Sequence, residues 1–417
     1  MRQALASVAA LLLGTAILLA GQGLQGILLP VRATLENFSP QAIGFFGGAY
    51  FLGFTLGCWL GVPTIRRAGH VRVFAAMTAL ASAAPLLHGL WVNLGSWVAL
   101  RLLSGFCFAV LYVVIESWLN ERATNEDRGV VFSAYILINM TVLAVGQQLL
   151  LLSDPMGLQL FALTSILVSL AAVPVLLSIQ AAPRNVERSA LDFRALFRNS
   201  PVAVTGTFTA GLNAGLFWAL GAVFVAAYSD DDRVTAWFMT IVILGGALGQ
   251  WPLGWWSDRF DRRKVIVAMC MAGALISIAI GLVAPSAPLG ALLWLGGLWG
   301  ALAFPTYSIS VAHANDWADP ETFVQVSAGL LLVYGIGAVI GPLLAPWFMS
   351  ALGAPGMFWF SAITYLALLT YTLLRINRRE AADESQTGEF SDALTSARTL
   401  SQVYEGEMET EQEALNE

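Results

Sequence analysis

Charge is scarce in this chain. Asp, Glu, Lys and Arg make up 12% of its 417 residues, whereas 57% are hydrophobic. That balance excludes an ordinary soluble domain, about a quarter of whose residues are charged. Cysteine is rarer still. Cys58, Cys107 and Cys270 are the only three, each in an apolar segment, too far apart for a metal-ligand motif and without a disulfide framework. No G-x-x-x-x-G-K-[ST] loop occurs, so any energy must come from gradients. Nothing resembles a nucleophile–base or metal constellation, so no enzyme, metal or cofactor is expected.

What the chain does have is membrane-length apolar sequence, at a mean hydropathy of +0.71. Runs of about 20 residues recur, enough for a helix to cross a hydrocarbon core about 30 Å thick. Breaks at charged, Pro and Gly residues predict twelve spans: 4–30, 42–64, 71–91, 96–119, 129–152, 156–179, 202–228, 235–257, 265–284, 289–313, 325–350 and 354–375. The opening "MRQALASVAALLLGTAILLAG" has no A-x-A cleavage site and stays apolar to about Pro30, so it reads as an uncleaved first helix.

The net charge of −6 hides an asymmetry. Residues 380–417 carry −10 and the remainder +4. The tail, 376–417, is rich in Ser, Thr, Glu and Gln and reads as a disordered extension serving solubility, processing or partner docking. The body has no nucleic-acid signature. Its basic residues set the orientation. With a cytoplasmic N-terminus, seventeen Arg and Lys fall on inner loops and flanks, and only Arg32 and Arg233 fall outside. Both termini are therefore expected in the cytoplasm of a cell with this protein in its inner (plasma) membrane.

The longest connection before the tail, 181–200, divides the spans six and six. It is expected to be a basic linker between bundles 1–180 and 201–375, or to form a short interfacial helix through Leu191, Phe193, Leu196 and Phe197. The halves also resemble each other. At an offset of 195, Gly105, Tyr112, Asn120 and Ala123 meet Gly300, Tyr307, Asn315 and Ala318. "LGCWLG" (56–61) recurs as "LGQWPLG" (248–254), and Ser133-Ala134 as Ser327-Ala328. Shared order and spacing argue for a duplicated six-helix unit, the architecture that puts a binding site between halves.

The stretch "GQWPLGWWSDRFDRRK" (249–264) packs six charges into seven residues behind two tryptophans. Tryptophan suits the membrane interface and the basic run suits a positive-inside loop. Asp258 needs more. Anions are stabilised beside helix N-termini, and the fifth span begins on the same side with Arg128-Gly129. A dock of Asp258 there and on Arg128 would contribute about 1–2 kcal/mol, suited to a latch that closes and releases.

The pattern Gly254-x-x-x-Asp258-Arg259-x-x-Arg262-Arg263 resembles the cytoplasmic loop signature of the major facilitator superfamily, with Asp261 where a second glycine is usual. Its counterpart after the second span keeps Gly61, Arg66, Arg67 and Gly69 but has Ile65 in place of the acid, so a first-half latch must be organised differently. Gly337, Gly341 and Pro342 resemble the superfamily's G-x-x-x-G-P motif, although that is best known from the fifth span. They also suit close helix packing. "ESWLNER" (116–122), "RGVVFSAY" (128–135) and "SVAHAND" (310–316) are similar to the YcaD-like branch. The resemblance covers roughly residues 1–375 and implies an all-α membrane fold of two pseudo-symmetric six-helix bundles, with spans 1, 4, 7 and 10 lining a central cavity. The implied cytoplasmic gate is Gly254, Asp258, Arg259, Arg262, Arg263, Arg128, Arg66 and Arg67.

Ionisable residues within a span are costly and are functional candidates by default. Arg101 sits about 8 Å into the fourth span, with Gln22, Gln25, Gln147 and Gln148 at similar depth. Two readings stand: snorkelling to the headgroups, or an Arg–Gln cluster that receives an anionic or hydrogen-bonding group of a solute. "RLLSGFCFA", from Arg101, resembles the superfamily's R-x-x-x-G motif. Glu116 is the one acid clearly inside a span. It is a candidate proton site, with His313 second, or else pairs with Arg66 or Arg67. Asn139, Asn213, Trp218, Gln250, Tyr112 and Tyr307 are further candidates for the solute path or for helix packing.

The expected function is a monomeric secondary transporter moving a small organic solute by alternating access, with protons as a candidate coupling ion and the bilayer as its surroundings. The alternative is a non-transporting membrane scaffold or sensor of the same fold, signalling through its acidic tail.

Overall fold

The computed structural model describes residues 2–122, 128–177, 193–318 and 322–376. Five long helices open the chain: α1 (Arg2–Leu35), α2 (Pro40–Ala68), α3 (His70–Leu90), α4 (Leu94–Arg122) and α5 (Arg128–Gln148), the last extended by a 3₁₀ turn at Leu149–Leu152. The sixth span is split into α6 (Gln159–Leu170) and α7 (Ala172–Leu176), and a short α8 (Phe193–Asn199) leads into the second half. There follow α9 (Pro201–Ala226), α10 (Asp232–Ser257), α11 (Arg262–Val283), α12 (Leu289–Ala303), α13 (Pro305–Asn315), α14 (Phe323–Leu352) and α15 (Gly356–Ile376). Among the described residues, twelve segments are long and apolar enough to cross a bilayer, matching the spans read from the sequence.

Two spans are interrupted where the sequence predicts continuous helix. Pro305 has no amide to offer the carbonyl of Ala301, and the tenth span breaks at Phe304 between α12 and α13. Pro174 does the same to the carbonyl of Leu170, and the sixth span breaks at Ala171. α8 lies within the connection 181–200 between the halves. Leu196 is buried against Ala203, Val311 and Leu330, while Phe197 is exposed. Leu191 lies outside the described residues.

Helix starts carry their own signals. Ser39 Oγ accepts from the amide of Ala42 at 3.2 Å, ahead of Pro40 in the first turn of α2. Asp231 caps α10 through the Arg233 amide, and Asp261 caps α11 through the Arg263 amide, both at 2.9 Å. Asp261, the departure from the loop signature, therefore starts a helix.

Glycine seams build each half, and they repeat. In the first half, β-carbons at Gly53 and Gly105 would overlap the carbonyl oxygens of Leu102 and Tyr50, so α2 and α4 meet backbone to backbone. In the second half Gly245 and Gly300 do the same against Gly297 and Val242, joining α10 to α12. Gly23 and Gly146 bring α1 onto α5, and Gly211, Gly215, Gly337 and Gly341 bring α9 onto α14. Spans 2–4 and 1–5 thus correspond to spans 8–10 and 7–11. The helices associate through small residues because lipid gives no hydrophobic drive for larger ones.

Among the described residues, the two halves meet at one end. Call the end bearing Arg66, Arg67 and Arg259 the basic face, and the other the far face. At the far face a β-carbon on Gly44 of α2 would overlap the Pro342 carbonyl of α14. Gln41 Nε2 donates to Ser350 Oγ at 2.5 Å. Gln148, at the end of α5, donates to Thr240 Oγ1 of α10 at 2.6 Å and to the Ala236 carbonyl at 3.1 Å. Large apolar side chains such as Leu248, Trp251 and Trp294 point outward, each more than 75% exposed. A bilayer covers such a surface; water does not.

Candidate functional site: a central cavity between the halves

Two adjoining cavities, about 280 and 220 Å³, lie between the halves and share Phe54, Tyr112, Trp218, Leu331 and Tyr334 as a common wall. Their walls are mostly aromatic and aliphatic, the composition of a small-molecule site. The larger cavity reaches towards the basic face, where Glu116, Tyr135, Asn139, Tyr307 and Ser308 line it. The smaller reaches towards the far face and holds Gln22, Tyr50, Thr55 and Arg101.

A polar ladder climbs the first-half wall. Arg101 is 8% exposed, and its guanidinium carbon sits 4.2 Å from the centre of the Tyr50 ring. Tyr50 Oη accepts from Gln22 Nε2 at 2.8 Å, and Tyr112 Oη donates to Gln22 Oε1 at 2.5 Å. One turn along α4, buried Glu116 accepts from Tyr135 Oη at 3.1 Å. Arg101 and Glu116 are fifteen residues apart on one helix, about 22 Å along its axis. At that separation any attraction between them is below about 1 kcal/mol for an effective dielectric near 20.

Arg101 does not snorkel. It stacks on Tyr50 inside the protein and makes no hydrogen bond or ion pair among the described residues. Arg66 and Arg67 are both exposed, and no ion pair of either with Glu116 occurs among the described residues. Tyr50, Phe54 and Tyr334 went unmarked in the sequence. The one signal for Tyr50 was a hydroxyl inside an apolar span, which needs a partner when buried.

Other candidates turn away from the cavity. Asn213 is fully buried within the second half. Its Nδ2 donates to Thr364 Oγ1 at 2.9 Å and its Oδ1 accepts from Ser361 Oγ at 2.5 Å. Ser361 Oγ in turn accepts from Trp299 Nε1 at 3.0 Å, so this network ties α9 and α12 to α15. Gln147 Nε2 donates to the Gly23 carbonyl at 3.0 Å and serves the α1–α5 seam. Gln25 is buried with neither side-chain polar atom partnered among the described residues, and Gln250 is buried outside the cavity walls.

At the basic face the charges are tied into the second half. Arg262 Nε lies 3.1 Å from Asp316 Oδ2, both side chains at most 4% exposed, and Arg262 Nη2 lies 3.4 Å from Asp258. Arg263 Nη2 pairs with Asp261 Oδ2 at 2.8 Å. Burial alone would raise the Asp261 carboxyl; the hydrogen bonds and charge of Arg263, with His313 nearby, outweigh it and hold it below the usual value. His313 is itself buried. Arg259 is stacked on Trp255, its guanidinium carbon 3.9 Å from the ring centre. The expected partner of Asp258, the Arg128 side chain, lies outside the described residues. The amide of Asp258 bonds the carbonyl of Gly254, closing α10.

Among the described residues, twelve membrane-length segments in two matching halves around a shared cavity define an all-α integral membrane protein. The sequence pattern of the Major Facilitator Superfamily matches residues 11–233 and again 203–405, and the chain belongs to that family. It is 26% identical over 334 residues to the MFS-type transporter YcaD of Escherichia coli O45:K1 (strain S88 / ExPEC), covering 80% of this chain and 86% of that one. It matches an MFS-type transporter of Enterobacter sp. (strain 638) equally well, at 26% over 337 residues and the same coverage of both chains. Its fold is similar to the nucleoside transporter NupG, with a TM-score of 0.76 at 14% identity over 89% of this chain and 100% of that one. It is also similar to a D-xylose-proton symporter, with a TM-score of 0.70 at 12% identity over 92% and 98%.

Proposed function

We propose that this protein carries a small organic solute across the membrane by alternating access, residues 1–180 rocking against 201–375 about the central cavity. One observation carries the reading: the cavity is walled by both halves, and among the described residues side chains and backbone of the two halves meet at the far face. A site shared by two rigid halves changes sides when those halves pivot. The arginine bias makes the basic face cytoplasmic, so this state has its outer side closed. Arg101, Gln22, Tyr112, Asn139, Trp218 and Tyr307 contact the solute. Glu116 is the acid placed to exchange a proton with its path. Asp258 with Arg262, and Arg128 across from them, form the inner gate. The similarity to transporters of nucleosides and of D-xylose with protons supports this reading.

The test is a pair of cysteine crosslinks in proteoliposomes. Gln41→Cys with Ser350→Cys spans the far face, and Gly129→Cys with Ser257→Cys spans the basic face. Alternation makes the two crosslinks mutually exclusive, and locking either one stops solute uptake. A basic-face pair that never crosslinks overturns the gate and the rocking motion together, and favours a non-transporting scaffold.

A further inference from the structure

We infer that the solute is a monovalent organic anion with a flat aromatic body, an arylcarboxylate, whose carboxylate docks on Arg101. This deepens the transport reading above and rests on it for the direction of traffic, though not for binding.

Arg101 is more than nine-tenths buried and faces the smaller cavity. It has five N–H donors, and none of them meets an acceptor among the described residues; its Nε is enclosed without a partner. Among the described residues, only the Tyr50 ring beneath it offsets the charge. A buried guanidinium without an acceptor is costly, and the group that relieves it best is a carboxylate, which matches the planar fork with two parallel hydrogen bonds. Gln22, the neighbouring amide, already spends its Nε2 on Tyr50 and its Oε1 on Tyr112. The acceptor must therefore come with the ligand.

The charge count sets the valence. Among the described residues lining either cavity, Arg101 is the one basic side chain, and the acid Glu116 lines the other end. One positive group suits one negative charge; a phosphate monoester, close to a dianion at neutral pH, would carry excess charge towards Glu116. The shape follows from the shared wall beyond Arg101, where Phe54 and Tyr112 of the first half, with ring centres 6.1 Å apart, face Trp218 and Tyr334 of the second. Aromatic side chains of both halves favour an aromatic guest through offset or edge contacts. A ligand touching both sets of rings is one that both halves hold.

The experiment is calorimetric titration of the full-length protein in lipid nanodiscs with indole-3-carboxylate, benzoate, their neutral amides, benzylamine, acetate and phenyl phosphate. The wild type is expected to bind the two arylcarboxylates at least tenfold more tightly than their amides, acetate or phenyl phosphate, and not to bind benzylamine. Arg101→Gln should erase the preference of acid over amide, and Arg101→Lys should retain part of it. The wild-type comparison needs no variant to fold. Equal binding of acid and amide, tighter binding of phenyl phosphate, or no binding of either arylcarboxylate overturns the proposal. Failure here with intact alternation in the crosslinks removes the substrate class alone. Arylcarboxylate binding to a protein whose halves never alternate removes the transport reading alone.

Discussion

Arg262 and Asp316 form a buried ion pair that fastens the first turn of α11 to the end of α13, Nε to Oδ2 at 3.1 Å. Both belong to one half, so the pair stiffens a bundle at the face where the gate is expected. Removing one partner strands a buried charge. Asp316→Asn or Arg262→Ala should cost roughly 3–5 kcal/mol, whereas the double replacement Arg262→Met with Asp316→Leu should recover most of the loss. Denaturant unfolding of the detergent-solubilised protein reads both. Additive losses in the double variant would contradict the pairing.

The far-face seam should open on command. Gly44→Leu drives a side chain into the Pro342 carbonyl across the halves, and the expected result is loss of the Gln41→Cys to Ser350→Cys crosslink with helix content unchanged. Gly341→Leu strikes the Leu212 carbonyl within a half and should instead lower thermal stability, since overpacking typically costs about 1–3 kcal/mol. Unequal effects of these kinds on crosslinking and melting would locate the hinge between the bundles.

Asn213 separates architecture from transport. Asn213→Ala leaves Ser361 and Thr364 short of a partner in the core, at a cost of roughly 1–3 kcal/mol. Solute affinity should not change, because the side chain does not line the cavity. Tyr112→Phe should behave in the opposite way, weakening solute binding by removing the donor to Gln22 while melting near the wild-type temperature. A matched loss of affinity in Asn213→Ala would put this network in the solute path after all.

Asp261 should give the basic face an acid-sensitive anchor. Its carboxyl titrates lower in the folded protein than its ordinary value of 3.8, because Arg263 favours the charged form. Stability from this carboxylate is fully present above about pH 4 and is lost as pH falls through the depressed folded value. The gap in unfolding free energy between wild type and Asp261→Asn should thus stay level from neutral pH down to about pH 5 and narrow at more acid pH. Arg263→Gln should shrink that gap throughout. A gap that widens with acidification would reverse the assignment.

Span number and pairing of halves were legible because they are sums over many residues: hydropathy accumulates across a window, and glycine positions recur at matching offsets. The cavity was half legible. Tyr112, Tyr307, Trp218, Gln22 and Asn139 are polar or aromatic groups in apolar runs, and they reach it. Gln147, Gln25 and Asn213 carry the same signal and do not. Polarity in a span marks a need for partners, and a seam meets that need as well as a solute path does. The Arg262–Asp316 pair was invisible for another reason: its members are far apart in sequence and only the folding of α11 against α13 brings them together.

The sequence by itself determined that this chain crosses a membrane twelve times in two related halves, because burial in lipid depends on local composition alone. Tertiary structure decided which way each helix is turned about its axis. Backbone-to-backbone glycine contacts lock that rotation, and it sets Arg101 towards Tyr50 and the cavity while Asn213 turns into the core.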